Sequence, residues 1–153
     1  MTLEDSGFTE LDRDLEEFRQ LLRRRVRSAV RTALGDIVGL PALHLVGVLS
    51  QNGPMSPSEL AARLEIRTST VTAHLDRLEE LGWAARESGP VGPSRLRVVL
   101  TADGARAHER YVEARRRVVR DLLAPLAPEQ MQDLARALRA LVAAQNLASE
   151  GED

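Results

Sequence analysis

The run Ser56–Gly82, SPSELAARLEIRTSTVTAHLDRLEELG, leaves this chain few ways to fold. It opens Ser56-Pro57-Ser58-Glu59. Ser56 can cap the first turn of a helix, Pro57 suits the first helical position, and Glu59 can reach back to the cap residue. Leu60, Ala61 and Leu64 make one apolar stripe, and Glu65-Ile66-Arg67 reads as a turn. A second helix follows, capped by Thr68 or Ser69, with Val71, Leu75 and Leu78 at spacings of four and three. Ser69, Thr70, Thr72, Ala73, Asp76 and Arg77 are left on its other side. A capped short helix packed against a helix with hydroxyls and an arginine outward is a helix-turn-helix, the arrangement that enters a DNA major groove. Helix pairs of this kind also occur in all-α proteins without a DNA role, so the segment alone leaves both readings open.

The flanks narrow the choice. After Gly82 the period changes: Trp83–Glu87 can be extended, Ser88–Ser94 is rich in turn formers, and Arg95–Leu100 has strand character. That is a β-hairpin with a long tip, placed where a wing would lie along a duplex. Upstream, a helix is expected from Thr9, as cap, to about Leu34, with Leu11, Leu15, Phe18, Leu22, Val26 and Val30 on one face. Arg23, Arg24, Arg25, Arg27 and Arg31 occupy its other face, either as a solvated surface or as contacts for phosphate or an acidic partner helix. A buried helix runs from Leu40 to about Asn52. Thr101 should cap a long helix in which Ala105, Val112, Val119 and Leu122 share a face, flanked by Tyr111 and Val118. Pro128 begins the last helix.

Composition sets the outer bounds. The chain has 153 residues, a net charge of −2, no cysteine, and 21 basic residues that are all arginine. Disulfides, thiolate metal sites and thiol redox sensing are thereby excluded. No stretch is long and apolar enough for a membrane span, and the acidic N-terminus lacks a signal-peptide core, so a cytoplasmic location is expected. His44, His74 and His108 are isolated from other metal-ligating residues, so no metal or other cofactor is expected. No Ser-His-Asp set, phosphate-cradling glycine loop or paired carboxylates mark an enzyme, and no catalytic residue is assigned.

The order of long helix, buried helix, helix-turn-helix, wing, long helix and terminal helix, with STVTAHLDRLEELGW and VVLTADG, resembles the MarR family of winged-helix transcriptional regulators. The specific part runs from Leu60 to Gly104, and the outer helices match only in pattern. The resemblance implies a mostly α fold with a small β-wing: a winged helix-turn-helix domain plus a helical dimerisation region. The expected parts are an N-terminal dimerisation helix over 1–35, a DNA-binding domain over 36–103 and C-terminal dimerisation helices over 104–153. It further implies a cytoplasmic homodimer that binds a near-palindromic double-stranded DNA operator, as a repressor or less often an activator. Apolar faces too extended for so small a core agree with a two-fold dimer. Ser69, Thr70, Thr72 and Arg77 would face the groove. Arg67, Thr68 and Ser56 would serve the backbone, with Arg95 at the wing tip and Arg86 as a second wing candidate. A small aromatic or phenolic ligand between dimer helices and winged domain is also implied, with His44 and Tyr111 assigned to its pocket.

The chain departs from the family pattern in places. Ala73 stands where an arginine is frequent, and Glu65 where glycine is common in the turn. Gly92, Pro93 and Ser94 fall on the wing positions that carry an Asp-Arg-Arg type triplet, so that triplet is not carried over. From Pro57 to Leu100, six arginines face six carboxylates. Binding must then rest on where charge sits rather than on its excess. The same departures define the alternative, a winged-helix protein-interaction module that has lost DNA binding.

Overall fold

The computed structural model describes residues 5–88 and 96–150, with side chains over 7–88 and 96–145. Six helices and two strands follow in the order α1 (Asp5–Leu34), α2 (Leu40–Asn52), α3 (Pro57–Leu64), α4 (Thr68–Glu80), β1 (Ala84–Ser88), β2 (Leu96–Leu100), α5 (Ala102–Leu123), α6 (Pro128–Glu150). The expected fold class is the observed one, a mostly helical chain with a two-stranded wing. Helix α1 starts earlier than the expected cap at Thr9. Phe8 extends the Leu11, Leu15, Phe18 spacing back by a turn, and the helix follows that period.

The centre of the winged part is α2. Ala42, Leu43, Leu45, Val46 and Leu49 are buried, on more than one side of the helix. A helix that is apolar around most of its circumference must be enclosed, and α3, α4 and β2 all pack against it. Val26, Val30 and Leu34 of α1, Leu60 and Ala61 of α3, Val71, Leu75 and Leu78 of α4, and Val98 of β2 complete the core. On α5 the buried positions are Gly104, Ala107 and Tyr111. The stripe therefore lies beside the expected one, and Val119 is exposed. Packing divides the chain into two units, Met1–Val118 and Val119–Asp153, so α1 and most of α5 fall with the winged core.

The strands pair antiparallel with Ala84 opposite Leu100 and Ser88 opposite Leu96. Met55, just before α3, adds a bridge to Val98 through hydrogen bonds of 3.2 and 2.7 Å. The wing is thus tied by backbone to the first helix of the helix-turn-helix. Among the described residues no helix is long and apolar enough to cross a membrane.

Candidate nucleic-acid interface

Local capping positions α3 as expected. The Glu59 N–H donates to Ser56 Oγ at 3.2 Å, and the Ser56 N–H donates to Glu59 Oε2 at 2.6 Å. This reciprocal box, with Pro57 opening the helix, fixes where α3 begins. It also gives Ser56 a structural role and leaves it half-buried. Helix α3 ends with Ile66 N–H bonded to Ala61 O at 3.0 Å and Glu65 N–H to Ala62 O at 3.3 Å. That pattern needs a left-handed residue at its pivot. Glu65 supplies it with φ 53, the one non-glycine residue with positive φ among those described.

The α4 cap differs from expectation. Arg67 is the cap residue and makes no side-chain cap bond. Thr68, Ser69 and Thr70 form the first turn instead, and all three are exposed. Thr72 is exposed too, and its Oγ1 donates to the Thr68 carbonyl at 3.0 Å. Val71, Leu75 and Leu78 on the opposite side have no solvent exposure. The hydroxyl-bearing side of α4 therefore lies open while its inner side is held rigidly on α2.

The arginines behave less simply. Arg77 donates through Nη1 to Glu80 at 2.7 Å and through Nε to the Ile37 carbonyl at 3.2 Å. It braces α4 against the segment between α1 and α2. Arg86 of β1 donates to Asp76 Oδ1 at 2.8 Å and to Glu79, with its side chain 26% exposed. It ties the wing to α4. The three carboxylates and both arginines were visible in the sequence, but not their pairing. Arg97 lies 3.8 Å from Glu59. Arg67 and Arg63 are exposed and have no ion-pair partner among the described residues. Arg63 lacked a motif to single it out. Arg95, Gly92, Pro93 and Ser94 lie outside the described residues.

His44 and Tyr111 are not brought together in a described cavity. His44 is exposed on α2, whereas Tyr111 is buried, its ring 6.3 Å from that of His108. A cleft of about 460 Å³ lies elsewhere, lined by Arg23, Arg27, Val30 and Arg31 of α1 and by the 35–41 segment, Asp36, Val38 and Leu40 included. No group of metal-ligating side chains occurs among the described residues.

A sequence model of the MarR family matches residues 38–92, which span α2, the helix-turn-helix and the start of the wing. Over that segment this chain is similar to the MarR family. The HTH-type transcriptional regulator YcgE of Bacillus subtilis is 35% identical over 94 residues, covering 61% of this chain and 53% of YcgE. The chain spans about half the length of the curated relatives it matches. A MarR family protein from Bacillus stearothermophilus superposes with TM-score 0.82 at 23% identity, covering 95% of this chain and 99% of that one. Streptococcus pneumoniae FabT, solved in complex with DNA, does so with TM-score 0.77 at 16% identity over 91% of this chain and 97% of FabT. These likenesses establish the winged-helix fold. The family and the curated relatives are named for transcriptional regulation, not for an enzymatic activity.

Proposed function

We propose that the chain is a MarR-family, homodimeric, sequence-specific DNA-binding repressor, with α4 in a major groove and the wing alongside it. The observation that carries this is the exposed run Thr68, Ser69, Thr70, Thr72 on a helix whose inner side is wholly buried. Ser69, Thr70 and Thr72 reach base edges. Arg67 and Thr68 serve phosphates at the entry to α4, where backbone N–H groups also point outward, and Ser56 serves one at the start of α3. Arg95 is assigned as a further contact to the duplex. Arg77 and Arg86 act as braces that hold α4 and the wing in register. FabT, of the same fold, was solved on DNA, which supports the reading.

Pairing of two chains is supported by apolar side chains left in water. Phe8, Leu11, Leu15 and Phe18 of α1 are exposed, as are Leu138, Leu141 and Val142 of α6. Exposed apolar stripes of that length mark contact surfaces, and a two-fold pair would present two α4 helices to successive turns of one duplex. Relief by a small aromatic anion is assigned to the α1 cleft rather than to His44 and Tyr111. Its three guanidinium groups have no ion-pair partner among the described residues, and Val30, Val38 and Leu40 offer an apolar wall. Ile37, whose carbonyl holds Arg77, sits in the same segment.

The test is a titration of the full chain against the duplex upstream of its own coding sequence, over a range of salt. Tight binding that weakens steeply with salt and is lost in Arg67→Ala is expected. An unshifted duplex at all salt concentrations would falsify the proposal and favour the interaction module. In that event Arg77 and Arg86 would be read as having left a neutral face for a protein.

A further inference from the structure

Resting on the DNA-binding reading, we infer that α4 recognises thymine through its 5-methyl group, by way of Ala73 and Thr72, and has no guanine readout. The inventory of α4 leads there. Its exposed positions are Thr68, Ser69, Thr70, Thr72, Ala73, Asp76, Arg77 and Glu80. Guanine is read in the major groove by a bidentate arginine or by lysine, and adenine by a bidentate asparagine or glutamine. The chain has no lysine and α4 has no amide side chain. Arg77 is the helix's one arginine, and it is engaged by Glu80 at 2.7 Å and by the Ile37 carbonyl, forty residues away, at 3.2 Å.

The two exposed carboxylates are also occupied. Asp76 accepts from Arg86 at 2.8 Å, and Glu80 accepts from Arg77. Each is drawn toward an arginine of the protein rather than left alone at the groove, with Asp76 sharing Arg86 with Glu79. What remains outward is small. Ser69 and Thr70 carry hydroxyls that can donate or accept and so discriminate little. Thr72 has its hydroxyl tied to the Thr68 carbonyl at 3.0 Å, so it offers a base edge its methyl. Ala73 offers nothing but a methyl. Thymine is the standard base that presents a methyl in this groove, and alanine and threonine methyls are its apolar counterparts.

The experiment enriches randomised duplexes on the full chain at low salt, then rebuilds the best duplex with single-base analogues. Replacing thymine by deoxyuracil in a half-site should weaken binding about fourfold per contacted methyl. Replacing guanine by 7-deazaguanine, which lacks N7, should change affinity by less than about twofold, where an arginine contact would lose about tenfold. Ala73→Gly should lose about as much as deoxyuracil does on the thymine duplex and little more on the deoxyuracil duplex. Thr72→Ser, which keeps the hydroxyl and the helix, repeats the comparison should Ala73→Gly loosen α4. Enrichment with no uracil effect, or with a large deaza effect, overturns this inference and leaves DNA binding intact. No enrichment of any duplex overturns both.

Discussion

Gly104 of α5 and Trp83 ahead of the wing approach so closely that no β-carbon fits between them. An atom there would lie 2.6 Å from Leu100 Cδ1, 2.9 Å from the Trp83 carbonyl carbon and nearer still to its oxygen. The same carbonyl accepts the Thr101 N–H at 3.1 Å, and the Thr101 hydroxyl donates to Gly82 O at 2.6 Å while accepting the Gly104 N–H at 3.1 Å. One hydroxyl thus joins the end of the helix-turn-helix to the start of α5. Gly104→Ala is expected to cost about 1–3 kcal/mol by overpacking, read as a lower urea midpoint. An unchanged midpoint would show that the contact relaxes without penalty.

Glu65 and Gly82 perform the same task at the ends of α3 and α4. Gly82 has φ +70 and Glu65 has φ 53, and each pivots a backbone loop that closes the helix, with Trp83 N–H bonded to Leu78 O and Ile66 N–H to Ala61 O. Only glycine takes this conformation without a steric cost. Glu65→Gly should therefore raise stability by roughly 1 kcal/mol, net of the extra freedom glycine has when unfolded. Thermal denaturation reads it, and a lowered midpoint contradicts the claim.

Arg86 pairs with Asp76 and Glu79 together, from a position only 26% exposed. Arg86→Ala should lower stability by about 1 kcal/mol, near the upper end for a partly solvated pair. It should also weaken duplex binding, because two carboxylates beside the groove lose their counter-charge. Adding Asp76→Asn to Arg86→Ala should restore part of the affinity. If the double variant binds no better than the single one, the ion pair does not act through charge at that face.

Burial first, and the positive charge of Arg115 second, hold the His108 imidazole below its ordinary pKa, with Glu109 pulling the other way. Its ring also packs on α2, where a β-carbon at Gly47 would come within 3.4 Å of Nε2. The unfolded chain takes up this proton near pH 6.5, whereas the folded chain does so only at lower pH. The contribution of His108 is therefore complete above pH 6.5 and declines as pH falls through the folded-state value. His108→Gln should flatten the stability profile over that acid interval, measured by urea denaturation at a series of pH values. An identical slope in the variant excludes His108 as its source.

What could be read in advance was local. Ser56, Pro57 and Glu59 specify the start of α3 because a capping box closes within four residues, and both hydrogen bonds are present. Thr101 caps α5 and Gly82 closes α4 for the same reason. The alternation that predicted a wing became Ala84–Ser88 paired with Leu96–Leu100. Where two local signals competed, as at Arg67, Thr68 and Ser69 before α4, the cap was misplaced by a residue. The stripe on α5 shifted because Gly104 lets the helix settle against Trp83, a contact that periodicity cannot contain.

By itself, then, the order of residues determined the elements, the capped start of α3 and the inner faces of α3 and α4, since these follow from bonds and periods a few residues long. Only the tertiary structure decided which charges are available. Arg86 meets its carboxylates ten and seven residues away, and Arg77 meets a carbonyl forty residues away. An arginine in a sequence is a donor of unknown occupation, because its reach spans the distance between elements and its partner is whichever carboxylate or carbonyl the packing brings near. The same packing left Ser69, Thr70, Thr72 and Ala73 as the open surface of α4.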